Sequence, residues 1–191
     1  MADRYENFAA LDAGEERGVH YDIRSIDRGT EMVVLAPHGG CIEPGSSEVA
    51  EAIAQRDYSF YAFLGLSPGR DLHITSTNFD EPQAVKLVRT AETAIAIHGR
   101  LDHSDPETVW IGGRDVDLGN AVATALEAAC FGAITEGHHL LGKDARNICN
   151  RGRRGAGAQL EIPRGLRDRL GRDDTELQRF AEAIRTVLVT R

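Results

Sequence analysis

Four residues of this chain have types and spacing that could do chemistry together. His38 closes an apolar run in "MVVLAPHGG", and Glu43 follows five residues later. His98 closes a second apolar run in "TAIAIHGR", and Glu161 stands inside a third, "GAGAQLEI". Two histidines at strand ends, each followed by glycine and with one carboxylate nearby, form a His₂Glu set. That set suits a catalytic zinc, which keeps a fourth position open for water. Neutral imidazole and carboxylate match zinc's borderline character without any thiolate. Each histidine alone reads more readily as a satisfied structural residue, so His38 and His98 carry weight only together and with Glu43. Glu161 could take a proton from an attacking water. It could also be an ordinary residue on the exposed face of an edge strand, since Gln159 and Glu161 alternate with Leu160 and Ile162.

Two polar stretches could hold a substrate. "NICNRGRRG" contributes Asn147, Asn150, Arg151, Arg153 and Arg154, and arginine grips a carboxylate in a bidentate fork. Residues 141–172 hold nine basic and three acidic side chains, a local +6 in a chain of net charge −8, which leaves −14 elsewhere. A basic segment on an acidic protein suggests an anion site, or else a solvated arginine-rich loop and helix. "LHITSTNFDEP" offers His73, Thr75, Ser76, Thr77, Asn78 and Asp80 as pocket lining or as turn and cap residues. His103, His138 and His139 have no comparable setting and read as surface residues. The three cysteines, Cys41, Cys130 and Cys149, show no CxxC spacing and read as small, partly buried residues.

The elements that must position these groups follow from hydropathy. Strands are predicted at 20–26, 31–36, 58–63, 72–75, 93–97, 108–111, 131–135 and 157–162. Helices are predicted after a cap at Ser46 or Ser47, over 81–91 with Pro82 opening it, over 117–130, and C-terminally after Asp173-Asp174. Alternating strands and helices imply an α/β layered fold, and the lack of a helix between 58 and 75 predicts a mixed sheet. In such sheets functional groups sit past the carboxyl ends of strands, where His38 and His98 fall.

Bulk properties set limits. With 191 residues, no repeats and no linker, the chain predicts one domain over 1–191. The net charge of −8 argues against nucleic acid as a partner. No apolar run reaches the roughly 20 residues of a membrane span. The start lacks a signal-peptide pattern, so the expectation is a cytoplasmic protein or one released without a signal peptide. A monomer is expected.

"LAPHGGCIEPGSSEVAEAIA", "LHITSTNFDEPQA", "IAIHG", "VWIGGRD" and "NICNRGRRGAGAQLEIPRGLR", in this order over about residues 20–190, resemble the poly-γ-glutamate hydrolase family of bacteriophages and bacteria. The resemblance implies a zinc-carboxypeptidase-like fold, a mixed β-sheet flanked by helices with the metal at its strand ends. It implies Zn²⁺ held by His38, Glu43 and His98, with Glu161 as general base. Asn150-Arg151 looks similar to the carboxylate-binding pair of related carboxypeptidases, and His73 would join it at the substrate. The four residues between His38 and Glu43 exceed the two usual in carboxypeptidases and agree with the hydrolase family. The implied substrate is an anionic γ-glutamyl peptide or polymer. A zinc amidase, deacylase or carboxypeptidase acting on another N-acyl amino acid or peptide is the alternative.

Overall fold

In the computed structural model, which describes residues 3–68 and 71–189, the apolar runs become one seven-stranded sheet. The ends of the expected 1–191 domain, and residues 69–70, lie outside the described residues. The strands are β1 (Tyr21–Ile26), β2 (Met32–Gly40), β3 (Ser59–Gly65), β4 (Thr93–Arg100), β5 (Val109–Gly113), β6 (Ala133–Ile134) and β7 (Ala158–Pro163). Their spatial order is β1-β3-β2-β4-β7-β5-β6. The four central strands β3, β2, β4 and β7 run parallel, while β1 and β5 pair antiparallel to their neighbours β3 and β7. This is a single-domain mixed sheet with helices on both faces.

Helices α2 (Ser46–Ala54), α4 (Val116–Ala128), α5 (Arg164–Leu170) and α6 (Asp174–Leu188) cover one face, burying Ile53, Leu118, Leu166 and Phe180 against Val34, Ile97 and Leu160. On the other face α1 (Phe8–Gly14) and α3 (Pro82–Thr90) bury Leu11 and Leu87 with Val33, Leu35 and Phe63. The helix after β2 and the helix after β3 thus lie on opposite faces. The chain reverses its winding between β2 and β4, and a crevice opens at their carboxyl ends.

Four local expectations change. Residues 72–75 are not a strand: Leu72 and Ile74 are buried, but the backbone is held by Asp3, whose carboxylate accepts from Thr75 N at 2.6 Å. Apolar alternation there marks inward packing without a sheet neighbour. The cap of α2 is Gly45 at φ +93°, with Ser46 and Ser47 buried inside the helix. β7 is no edge strand; it lies between β4 and β5 and is buried on both faces. Cys41 and Cys130 are exposed and Cys149 is buried. Burial pushes the Cys149 thiol up to about 12, which makes it inert. No described helix is long and apolar enough to cross a membrane.

Candidate active site

A proline inside a central strand needs an explanation, because it cannot donate to the ladder. Pairing of β2 with β4 ends at Leu35, and pairing with β3 breaks between Ala36 and Gly39. Pro37 sits in that gap. The irregularity also redirects the next side chain, as bulges do, and the next residue is His38. Beyond it Gly40 adopts φ +64°, and a Cβ there would lie 2.3 Å from Gly65 O, so only glycine fits. The turn returns Glu43 to the histidine, closed by Glu43 N donating to His38 O at 2.8 Å.

His98 arrives from β4 and Glu161 from β7. They are direct partners in the parallel ladder, which sends both side chains to one face. His38 Nδ1 lies 3.1 Å from Glu43 Oε1 and 3.2 Å from His98 Nδ1, and His98 Nδ1 lies 3.7 Å from Glu43 Oε2. A tetrahedral zinc with bonds of about 2.0–2.1 Å separates its ligand atoms by about 3.3–3.4 Å. The three groups are the residues whose donor atoms converge for a metal among the described residues.

The protonation pattern fits a cation as well. His38 Nε2 lies 2.8 Å from Ile74 O, which can only accept, so the proton is on Nε2. The His38 Nδ1 then faces a carboxylate and a second imidazole nitrogen, and a positive charge among the three, a metal ion or a shared proton, makes that approach attractive. His98 Nε2 is engaged at 3.3 Å by Ser76 Oγ. Both rings are thus held from behind with Nδ1 forward, as metal-binding histidines are. Burial raises the Glu43 proton affinity, but the two imidazoles reverse this and hold the carboxyl well below the usual range. Glu43 also accepts from Gly99 N at 2.8 Å.

Glu161 is the other buried carboxylate here, 8% exposed. Burial pushes it up to about 7, His98 pulls it down, and the charge of Glu43 adds to the rise. Gln159 Nε2 donates to Glu161 Oε1 at 2.8 Å, and Asn147 Nδ2 donates to Gln159 Oε1 at 2.8 Å. This chain fixes the carboxylate. Gln159 was not foreseen in that role, although its position two before Glu161 was the available signal once β7 is buried on both sides.

The four groups line a cleft of about 480 Å³ whose other walls include Thr75, Ser76, Arg100, His139, Lys143 and Gln159. A second cleft of about 680 Å³ continues past Glu43, His73 and Arg100 towards Arg164. His73 lies between them, its ring 4.1 Å from that of His38 and its Nδ1 2.7 Å from Asp3 Oδ1. Burial and His38 hold it below its ordinary pKa despite Asp3. His139 is exposed, as expected, at the rim of the cleft, whereas His138 is half-buried and stacks on Trp110 at 5.4 Å.

Asn150 and Arg151 do not face this cleft. Asn150 is buried, donating to Gly142 O and Asp144 O at 2.7 and 2.8 Å and accepting from Arg114 N and Gly157 N at 3.2 Å. Arg151 spends its guanidinium on Arg146 O, Phe79 O and Thr77 O, at 2.6, 3.0 and 2.9 Å. Their proximity in sequence to an arginine-rich run hid that each guanidinium nitrogen of Arg151 and both amide hydrogens of Asn150 are bonded to backbone carbonyls. Arg146, Arg153, Arg154, Arg164 and Arg169 are likewise paired with acids of the chain. Arg151→Ala is expected to lower unfolding free energy by about 1–2 kcal/mol, with KM changed less than about twofold. Denaturant titration beside steady-state kinetics checks this, and a tenfold rise in KM at unchanged stability would return Arg151 to the substrate.

Comparison with known proteins gives this site a family. The Poly-gamma-glutamate hydrolase family model matches residues 5–186. The SPbeta prophage-derived UPF0714 protein YoqZ of Bacillus subtilis (strain 168) is 38% identical over 96% of this chain and 69% of its own length. UPF0714 protein YndL of the same organism is 36% identical over 94% and 74%. The solved structure of a bacteriophage poly-gamma-glutamate hydrolase superposes with a TM-score of 0.93 at 31% identity, covering 99% of this chain and 98% of that one. A structure described as YNDL-apo (Zinc-free) superposes with a TM-score of 0.90 at 32% identity, covering 98% of both chains. The fold, the order of the motifs and the match over nearly the whole chain lead to one statement: this protein belongs to the poly-gamma-glutamate hydrolase family.

Proposed function

We propose that this hydrolase uses zinc, held by His38, Glu43 and His98, to cleave γ-glutamyl amide bonds in poly-γ-glutamate or a related anionic peptide. The observation that carries the reading is the convergence of three donor groups within 3.1–3.7 Å of one another at the floor of a cleft. A relative whose structure is described as zinc-free supports the choice of metal. Zinc in such a set supplies Lewis acidity, lowering the pKa of a water towards roughly 7 and polarising a carbonyl.

The chain's own groups do the rest. Glu161 takes a proton from the attacking water and returns it to the amide nitrogen as the carbon–nitrogen bond breaks, since an unprotonated amine leaves poorly. Gln159 keeps the Glu161 carboxylate aimed during both transfers. His73, at the junction of the two clefts, commits its Nδ1–H to the Asp3 carboxylate, which leaves Nε2 as an acceptor for a substrate N–H.

A polyanion needs a cation that is not already engaged. Arg100 lines the cleft, but its guanidinium donates to Leu101 O, Asp105 and Thr108 O. Lys143 lines the same cleft with no hydrogen bond or ion pair among the described residues, so it is the side chain proposed to receive a substrate carboxylate. Lys143→Ala is expected to raise KM roughly tenfold, for a charge-assisted contact of about 1.5 kcal/mol. A neutral short amide serves as control, and an equal effect on it would remove Lys143 from carboxylate binding.

The deciding experiment measures zinc per chain in purified protein. It then follows release of γ-glutamate oligomers before and after chelation, beside α-linked polyglutamate and N-acyl amino acids. Zinc-dependent cleavage of the γ-linked polymer is expected. Preference for an N-acyl amino acid would favour an amidase on the same scaffold.

A further inference from the structure

The turn that carries Glu43, the strand that carries His98 and the strand that carries Glu161 come from distant parts of the chain, and one side chain bonds to all three segments. Arg167, on α5, is 5% exposed. Its Nε donates to Ile162 O at 3.0 Å, its Nη2 to Arg100 O at 3.2 Å, and its Nη1 to Pro44 O. These carbonyls lie one residue after Glu161, two after His98 and one after Glu43. Neighbouring glycines make room for it. A Cβ at Gly99 would lie 2.4 Å from Arg167 Cζ, and one at Gly45 would lie 3.1 Å from Arg167 Cβ.

Arg167 makes no ion pair among the described residues, and Glu43 is the strongest opposite charge acting on it. Burying a guanidinium without a directly bonded carboxylate is costly. A planar fork with donors in fixed directions can hold three backbone segments at set spacings, which a lysine cannot do.

We propose that Arg167 is a positioning residue for the metal centre: by fixing the carbonyls of Pro44, Arg100 and Ile162 it sets the separation of Glu43, His98 and Glu161. It acts through the backbone of the residues that would hold the metal and the attacking water. The proposal rests on the metal-site reading above.

The test compares Arg167→Met with Arg185→Met. Arg185 is a second buried arginine, on α6, that donates to Ile53 O at 2.8 Å and pairs with Asp57, away from the site. Zinc affinity is measured by chelator competition and thermal stability on the metal-free protein. Arg167→Met is expected to weaken zinc binding about 10- to 100-fold, the range for residues that hold ligands in place. Arg185→Met is expected to lose thermal stability and keep wild-type zinc affinity. Co²⁺-loaded Arg167→Met should also show an altered d–d absorption spectrum. Wild-type affinity and spectrum in Arg167→Met, or an equal affinity loss in Arg185→Met, would overturn the proposal.

Should Arg167→Met not fold, Gly99→Ala keeps the arginine but displaces its guanidinium. The same loss of affinity is then expected, and unchanged affinity overturns the idea. Absence of zinc binding by the wild-type protein would instead sink the metal-site reading, so the two failures are distinguishable.

Discussion

Glu161→Gln is expected to reduce kcat by at least roughly 100-fold, the usual loss on removing a general base, with KM and zinc content near wild type. The substitution is clean because the Glu161 Oε1 that accepts from Gln159 Nε2 can be replaced by an amide oxygen. Shape and orientation persist, and only proton acceptance is lost. Loss of zinc in this variant would make Glu161 a ligand. A near-normal kcat would move the base elsewhere, with His73 the next candidate.

The same variant has a stability signature of opposite sign. Glu161 lies at about 7 in the metal-free fold, against an ordinary value of 4.5. A carboxyl whose folded pKa is raised binds more protons in the native state, so stability falls as pH rises from the unfolded value through the folded one. In the metal-free protein that cost is complete above about pH 7 and is on the order of 3 kcal/mol. Metal-free Glu161→Gln should therefore be more stable than wild type at pH 8 and gain nothing at pH 4. Denaturant unfolding at the two pH values checks this, and equal stabilities at pH 8 would show that the carboxylate is not held at a cost.

The ease of reading this site from its sequence varied with how local each constraint is. His38, Glu43 and His98 stand out because glycines after apolar runs mark strand ends, and strand ends in α/β sheets carry chemistry. The departures share a cause: a side chain's partner lies far away in sequence. Arg151 bonds to Thr77 O and Phe79 O, more than seventy residues earlier. Glu161 reads equally well as an exposed edge residue and as a base until β5, from the middle of the chain, pairs with the other side of its strand. Residues 72–75 alternate like a strand because Leu72 and Ile74 pack inward, yet no strand lies beside them. Arg167 stood in view as one arginine among many, and only the register of β2, β4 and β7 gives it three carbonyls to hold.

Replacing a ligand should have the larger effect on metal. His38→Ala and His98→Ala are each expected to weaken zinc binding by more than about 100-fold, beyond the range caused by an outer partner alone, and to abolish hydrolysis. Thermal unfolding gives a readout free of turnover. A metal that binds only the native state stabilises it by about 2.7 kcal/mol at a hundredfold excess over Kd. Zinc should therefore raise the Tm of wild type and of Glu161→Gln, and leave that of either histidine variant unmoved. Glu43→Gln should fall between these. Its amide oxygen can still accept from Gly99 N, preserving the contact now at 2.8 Å, but the charge that balances the metal is gone. His103→Ala is the control, because His103 is exposed and lies outside the converging set. A zinc-induced Tm shift retained in both His38→Ala and His98→Ala would mean that the metal binds elsewhere. The 3.2 Å approach of the two Nδ1 atoms would then need a shared proton, not a cation, to hold it together.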